Sequence, residues 1–247
     1  MTTAIITLVR NEKFFLPHWI EYYSRVPGAQ LVVLDHESDD GSTAGIDSLR
    51  VVHGMVHHPE MENASWMLHT VQHHMGGLLR SGYERVIYAE VDEFLIPDPE
   101  RWVDLREYLE FTEDSGIVAA RGWNVIHKPG DVPLPESGSL LMGRSWKRSE
   151  LYDIRMGGSK VPDWKIGRHG LKDAPNDPDT DLRLVHLHYA NRELGWERIQ
   201  ARMRGKPIAQ DGCGFQNKPR DRTEFDSHWD QMCEDGEPIP ECYWDRL

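Results

Sequence analysis

Residues 85–94 read Arg-Val-Ile-Tyr-Ala-Glu-Val-Asp-Glu-Phe, an apolar run that changes within a few positions to three acids. Arg85 to Ala89 predicts a short buried strand after the turn signal Ser81-Gly82, with Glu90, Val91, Asp92 and Glu93 at its carboxyl end. In an open α/β sheet, ligands occupy the crevice beyond the carboxyl ends of the strands, so acids placed there meet a metal-bound ligand. Side chains at i and i+2 of an extended backbone point the same way. Glu90 and Asp92 are therefore expected to share one hard divalent cation, which takes oxygen ligands and keeps positions open for substrate phosphates. An acid pair at a strand end is also an ordinary solvated cap, so the neighbouring segments must arbitrate.

Upstream, residues 64–79 predict a helix whose stripe of Ala64, Leu68, Val71, Met75, Leu78 and Leu79 feeds that strand. Residues 3–9 are a β-branched apolar run, the pattern of a strand buried on both faces. Arg10-Asn11-Glu12 ends it, and Pro17 opens a helix carrying Leu16, Trp19, Ile20 and Tyr23 on one side and closing at Pro27-Gly28. Residues 31–34 predict a second strand, which runs into the turn-rich loop Asp35-His36-Glu37-Ser38-Asp39-Asp40-Gly41-Ser42-Thr43. A third strand is expected over residues 51–57. Strand, helix, strand, strand, helix, strand is the start of a Rossmann-like, mostly parallel sheet flanked by helices.

Downstream, a helix is expected over 102–111, a strand over 117–126, a Pro- and Gly-bearing connection over 130–143, a strand over 182–189 and a helix over 192–203. Residues 205–247 show no strong period and read as a wrap, a lid or a partly disordered tail. The chain is thus expected to be one α/β domain, residues 1–204, with an irregular C-terminal segment, residues 205–247.

Its 247 residues carry 28 Lys+Arg against 41 Asp+Glu, a formal net charge of −13. A chain this acidic is a poor nonspecific binder of nucleic acid or anionic membrane, and meets an anionic ligand only through a local basic group or a metal ion. No run of 18 or more apolar residues occurs and the first strand begins almost at Met1, so neither a transmembrane segment nor a signal peptide is expected. Cys213, Cys233 and Cys242 have no C-x-x-C spacing, and their odd number favours free thiols in a cytoplasmic setting. With His228 they are zinc-ligand types, but their separations fit no finger. His69 and His73 lie four apart on a predicted helix without an H-E-x-x-H pattern, and read as helix surface.

Three segments in order, T-L-V-R-N-E at residues 7–12, L-D-H-E-S-D-D-G-S-T at 34–43 and Y-A-E-V-D-E-F-L at 88–95, resemble the GT-A glycosyltransferases, specifically the family 2-like branch with a D-x-D-E-F motif. The resemblance covers residues 3–96 well and is extended by H-L-H-Y at 186–189, while residues 97–181 match loosely. It implies transfer of a sugar from a nucleoside diphosphate sugar, UDP-linked or on another base, to the hydroxyl of a glycan, lipid or small-molecule acceptor, with inversion and with manganese or magnesium. Carried onto this chain, Leu8, Arg10, Glu12, Asp35, His36 and Asp40 would line the nucleoside pocket. Glu90 and Asp92 would form the acid-x-acid pair, with Asp92 on the metal. His36 stands where many of these enzymes have a second acid, and Glu90 where they have Asp, which opens the base identity and the role of Glu90. Alternation over 182–189 puts His186 and His188 on one face, and the resemblance assigns His188 to the metal with His186 beside it.

Departure of a diphosphate from an oxocarbenium-like centre requires charge stabilisation on the leaving group and a base for the acceptor hydroxyl. Lys160, Lys165, Arg168 and His169 either add positive charge near the phosphates or form a solvated basic turn. Asp163, in the same segment, is the candidate base, with Asp153 and Glu150 as alternatives; His169 and Lys160 complete the catalytic candidates. A nucleotidyltransferase or a metal-dependent phosphoester hydrolase would use similar acids, but a nucleotidyltransferase usually has a Gly-rich basic loop after strand one, and Arg10-Asn11-Glu12 has no glycine. A non-catalytic nucleotide- or carbohydrate-binding module is the third reading, and the presence of Asp92 and His188 argues against it.

Overall fold

The computed structural model describes residues 2–46, 51–55, 64–112, 116–135, 137–168, 170–172, 178–203 and 221–247. Strands β1 (Thr3–Val9), β2 (Gln30–Asp35), β3 (Val51–Met55) and β4 (Arg85–Tyr88) run parallel in the order β4-β1-β2-β3. Every residue of β1 and β4 is buried, because helices cover both faces of this part of the sheet. On one face, Phe15, Trp19 and Tyr23 of helix α1 (Phe15–Ser24) and Leu105 and Leu109 of α3 (Leu105–Phe111) pack in one core with Ile5, Leu31 and Ile87. On the other, Leu68, Val71 and Met75 of α2 (Ala64–Arg80) meet Ala4, Ile6, Val86 and Tyr88. Helix α1 begins at Phe15 rather than Pro17. Proline in the first turn lacks only an N–H that has no intrahelical partner there.

Beyond β4 the sheet becomes mixed. Strands β5 (Glu93–Pro97), β6 (Ile117–Ile126), β7 (Ser145–Arg148), β8 (Ile154–Gly158), β9 (Asp179–Tyr189) and β10 (Glu237–Pro238) continue it in the order β10-β7-β6-β8-β4, with β9 paired to both β5 and β6. The expected α/β sheet flanked by helices is present, and the sequence reading located β6 and β9 but not β5, β7, β8 or β10. Strand β8 is hard to read because it ends in Gly157-Gly158. A Cβ on Gly157, at φ +153°, would come within 2.0 Å of the Val86 carbonyl oxygen, so glycine is what lets β8 lie against β4.

Helices α4 (Arg192–Met203) and α5 (Arg222–Met232) pack through Trp196, Ile199, Phe225 and Trp229. The side chain of Asp221 caps α5 by accepting from the Glu224 N–H at 2.9 Å. The last residues return to the domain: β10 pairs with β7, and the Leu140 N–H donates to the Leu247 carbonyl at 2.9 Å. Cys233 and Cys242 are free thiols, while Cys213 lies outside the described residues. Among the described residues no helix is long and apolar enough to cross a membrane.

Candidate active site

The acids after β4 sit in a turn, not on extended backbone. The Glu93 N–H donates to the Glu90 carbonyl at 2.9 Å, and the Glu90 N–H donates back to Glu93 Oε2 at 2.8 Å. The chain then reverses into β5, and Glu93 becomes the antiparallel register partner of His186 on β9. Helix α1 holds this reversal from behind: the Tyr23 hydroxyl donates to the Glu93 carbonyl at 3.1 Å and accepts from the Leu95 N–H at 3.1 Å.

The turn sends Glu90 and Asp92 to different partners, so the shared-cation arrangement expected of an extended E-x-D is absent. Glu90 and the fully buried Glu93 take the guanidinium of Arg168, whose Nη2 lies 2.5 Å from Glu90 Oε1 and 3.1 Å from Glu93 Oε1. That guanidinium also lies over the Tyr88 ring at 4.4 Å. Burial pushes the Glu93 carboxyl up to about 7, against the opposing pull of Arg168. Arg168, a candidate phosphate contact in the sequence, is thus a structural counter-ion to the acidic turn.

Asp92 faces the histidines. Its Oδ2 lies 3.7 Å from His186 Nε2 and 3.9 Å from His188 Nδ1, and one atom from each of the three residues falls within 4.8 Å of the others. Two ligand atoms each about 2.1 Å from a common ion lie about 3–4 Å apart, and both Asp92–histidine separations fall in that range. His186 Nδ1 pairs with Asn124 Oδ1 at 2.9 Å. A neutral imidazole donating there has Nε2 as its lone-pair nitrogen, turned to Asp92, which is the tautomer a metal ligand needs. Burial holds the His186 pKa below its ordinary value despite the nearby Asp92 and Glu90. For Asp92, burial would raise the pKa, but the Arg198 guanidinium with His186 and His188 outweighs it and keeps the carboxyl well below the usual carboxylate range. Glu90 is not in this group.

Next to this cluster, the segment after β1, the loop after β2 and α4 enclose a cleft of about 870 Å³ lined by Arg10, Glu12, Lys13, Asp40 and Arg198, among others. The two loops are tied together. Asn11, at φ +55°, donates to Asp39 Oδ1 and accepts from the Asp39 N–H, both at 2.8 Å. The Lys13 N–H donates to Asp40 Oδ2 at 3.2 Å. Asp35, one of the expected nucleoside contacts, is buried at the end of β2, where it accepts from the Ser38 N–H and the Thr43 hydroxyl and lies 3.2 Å from His53 Nε2. Its carboxylate organises the loop. His36 is also buried, with its ring 4.8 Å from that of Trp66, and Leu8 is a buried residue of β1.

Of the sequence candidates, the structure therefore brings together Asp92, His186 and His188, and beside them Arg10, Glu12 and Asp40. Lys160 and Asp163 line a separate cavity of about 380 Å³ with Arg155, and Asp163 pairs with Lys172 at 2.6 Å. His169 lies outside the described residues. The residue that sequence reasoning missed is Arg198 of α4, which donates from Nη1 to Asp92 Oδ2 at 2.6 Å and from Nη2 to Glu12 Oε1 at 2.8 Å, joining the two groups. Asn124 was missed as well; its place on β6 beside β9, opposite His186, follows only from the pairing of strands far apart in sequence.

No protein-family model and no curated protein matches the sequence. Among solved structures, 56 chains match. One, from Desulfovibrio desulfuricans, is described as a nucleotide-diphospho-sugar transferase; it is 16% identical with a TM-score of 0.31, over 50% of this chain and 59% of that one. Another is the mannose-1-phosphate geranyltransferase of Thermus thermophilus, 12% identical with a TM-score of 0.33, over 68% of this chain and 52% of that one. This chain thus spans little more than half the length of either. A third is an active-site mutant of LgtC, 9% identical with a TM-score of 0.28, over 99% of this chain and 100% of that one.

Proposed function

We propose that this chain is a metal-dependent glycosyltransferase that moves a sugar, with inversion, from a nucleoside diphosphate sugar to an acceptor hydroxyl. The observation that carries this reading is the convergence of Asp92, from the turn after β4, with His186 and His188 of β9 at the edge of the cleft beyond β1. Open α/β sheets bind ligands at that end of their parallel strands. Two imidazoles with one carboxylate suit a transition ion such as manganese better than magnesium, which favours all-oxygen sets. An ion held by Asp92, His186 and His188 would neutralise the charge that develops on a departing diphosphate.

The chain's own residues supply the rest of the binding site. Arg10, Lys13 and Arg198 line the cleft beside the acids Glu12, Asp39, Asp40 and Glu197, so contacts to an anionic diphosphate would come from these three side chains and not from the charge of the cleft as a whole. Glu12 and Asp40 offer acceptors for ribose or base donors, and Asp35 shapes that side through its hold on Ser38 and Thr43. The described part of the C-terminal segment, residues 221–247, serves as a wrap on the domain before it, an assignment supported by the packing of α5 on α4 and of β10 on β7.

Calorimetric titration of manganese, then of uridine and guanosine diphosphates, followed by turnover of the matching sugar donors, tests the reading. It predicts saturable manganese binding that Asp92→Asn abolishes, and diphosphate binding that requires the ion. Diphosphate binding indifferent both to manganese and to Asp92→Asn would overturn it.

A further inference from the structure

The guanidinium of Arg198 stands where a metal ion would need to be approached. Its Nη1 is 2.6 Å from Asp92 Oδ2, the same oxygen that lies 3.7 Å from His186 Nε2 and 3.9 Å from His188 Nδ1. Its other end is anchored independently. Nε and Nη2 both donate to Glu12 Oε1, at 3.2 and 2.8 Å, and the group lies over the Phe15 ring at 4.8 Å. Asp92 and Glu12 are both buried, so without this cation two carboxylates would stand close together out of water.

We propose that Arg198 is an exchangeable occupant of the metal site: it neutralises Asp92 until a divalent cation takes that oxygen, then keeps Glu12 and turns its freed N–H groups into the cleft to bind the diphosphate. The proposal rests on the glycosyltransferase reading above and assigns to it the order in which the site is filled. A guanidinium hydrogen-bonded to Asp92 Oδ2 and a divalent ion on the same oxygen repel each other, and the doubly charged ion, with two imidazoles beside that oxygen, is the stronger competitor for it. Displacement does not strand the arginine. Glu12 holds it on the side away from Asp92, and both Glu12 and Arg198 already line the 870 Å³ cleft. A planar guanidinium relieved of one carboxylate has the donor geometry that phosphate oxygens accept.

The two roles have opposite signs in a binding experiment, and that separates them from a merely structural one. Manganese is titrated alone, by the loss of the free-ion paramagnetic resonance signal, into wild type, Arg198→Gln and Asp92→Asn. Uridine and guanosine diphosphates are then titrated at saturating manganese. Arg198→Gln is expected to bind manganese about tenfold more tightly, a change of about 1.4 kcal/mol, and the diphosphates about tenfold more weakly. Equal or weaker manganese binding by a folded Arg198→Gln overturns the exchange. Should that variant fail to melt cooperatively, Arg198→Lys carries the same test. Its ammonium, a single point charge on a shorter stem, replaces the separate guanidinium N–H groups that reach Glu12 and Asp92, so its hold on Asp92 is weaker and its manganese affinity must also exceed that of wild type. If wild type and both Arg198 variants leave the manganese signal unchanged, the metal-site reading falls and the exchange with it. If wild type binds manganese through Asp92 while Arg198→Gln does not tighten it, only the exchange falls.

Discussion

Glu93 on β5 and His186 on β9 are direct antiparallel partners, and this pairing places Asp92, one residue before Glu93, against both imidazoles. The Leu187 N–H donates to the Asp92 carbonyl at 2.9 Å, extending the ladder to the acid itself. Backbone hydrogen bonds, rather than side-chain contacts alone, therefore fix the spacing of the candidate metal ligands, so residues that touch no ligand can still alter the site.

Asn124 is the first such residue. Its Oδ1 orients His186 through Nδ1, and loss of an orienting partner typically costs about 10–100-fold in metal affinity. Asn124→Ala is expected to weaken manganese binding by about that factor while leaving the cooperative thermal transition intact. Calorimetric titration beside a melting curve measures both.

Tyr23→Phe removes a hydroxyl that serves two buried backbone groups, the Glu93 carbonyl and the Leu95 N–H. Leaving a buried group unpaired costs about 1–3 kcal/mol, and we expect a loss in that range in urea unfolding. The variant should also bind manganese more weakly, since β5 positions Asp92.

The sequence conveyed these relationships unevenly. Strands β1, β2 and β4 are continuous apolar runs because both of their faces are covered, and such runs are readable without knowledge of partners. An acid following a buried strand and histidines on one face of another are local patterns too, but as patterns they read equally well as polar surface, and only the resemblance at residues 186–189 singled out His188 as a metal ligand. The turn between β4 and β5 was not. Val91-Asp92-Glu93-Phe94 has the composition of a strand end, and only the pairing of β5 with β9 makes it a reversal that separates Glu90 from Asp92. Arg198 was invisible because an arginine on a predicted helix looks like a solvated face; its burial depends on Glu12 and Asp92, both far away in sequence.

Asp35 provides a pH test. Burial would raise its pKa, but donation from Thr43 and Ser38 and the nearby His53 hold it below the ordinary value. A carboxyl depressed in the folded state stabilises above its unfolded pKa of about 3.9, and that contribution disappears as pH falls through the folded value. Asp35→Asn should therefore cost about 1–2 kcal/mol in unfolding free energy at pH 7. The gap from wild type should close below about pH 4, as measured by urea denaturation across that range.

Gly157→Ala tests the approach of β8 to β4. A methyl group there would meet the Val86 carbonyl oxygen at 2.0 Å, backbone that cannot yield without moving β4. A destabilisation of about 3 kcal/mol or more, or failure to fold, is expected in chemical denaturation. A near-neutral variant would mean that the two strands are not paired as described.

Whether Asp92, His186 and His188 together hold a divalent cation is decided by anomalous diffraction at the manganese edge from crystals soaked in manganese. A peak is expected about 2.0–2.3 Å from a carboxylate oxygen of Asp92 and from a ring nitrogen of each histidine, with Arg198 withdrawn from Asp92. A manganese peak held by other residues, or none at this cluster in crystals that bind the ion elsewhere, would contradict it.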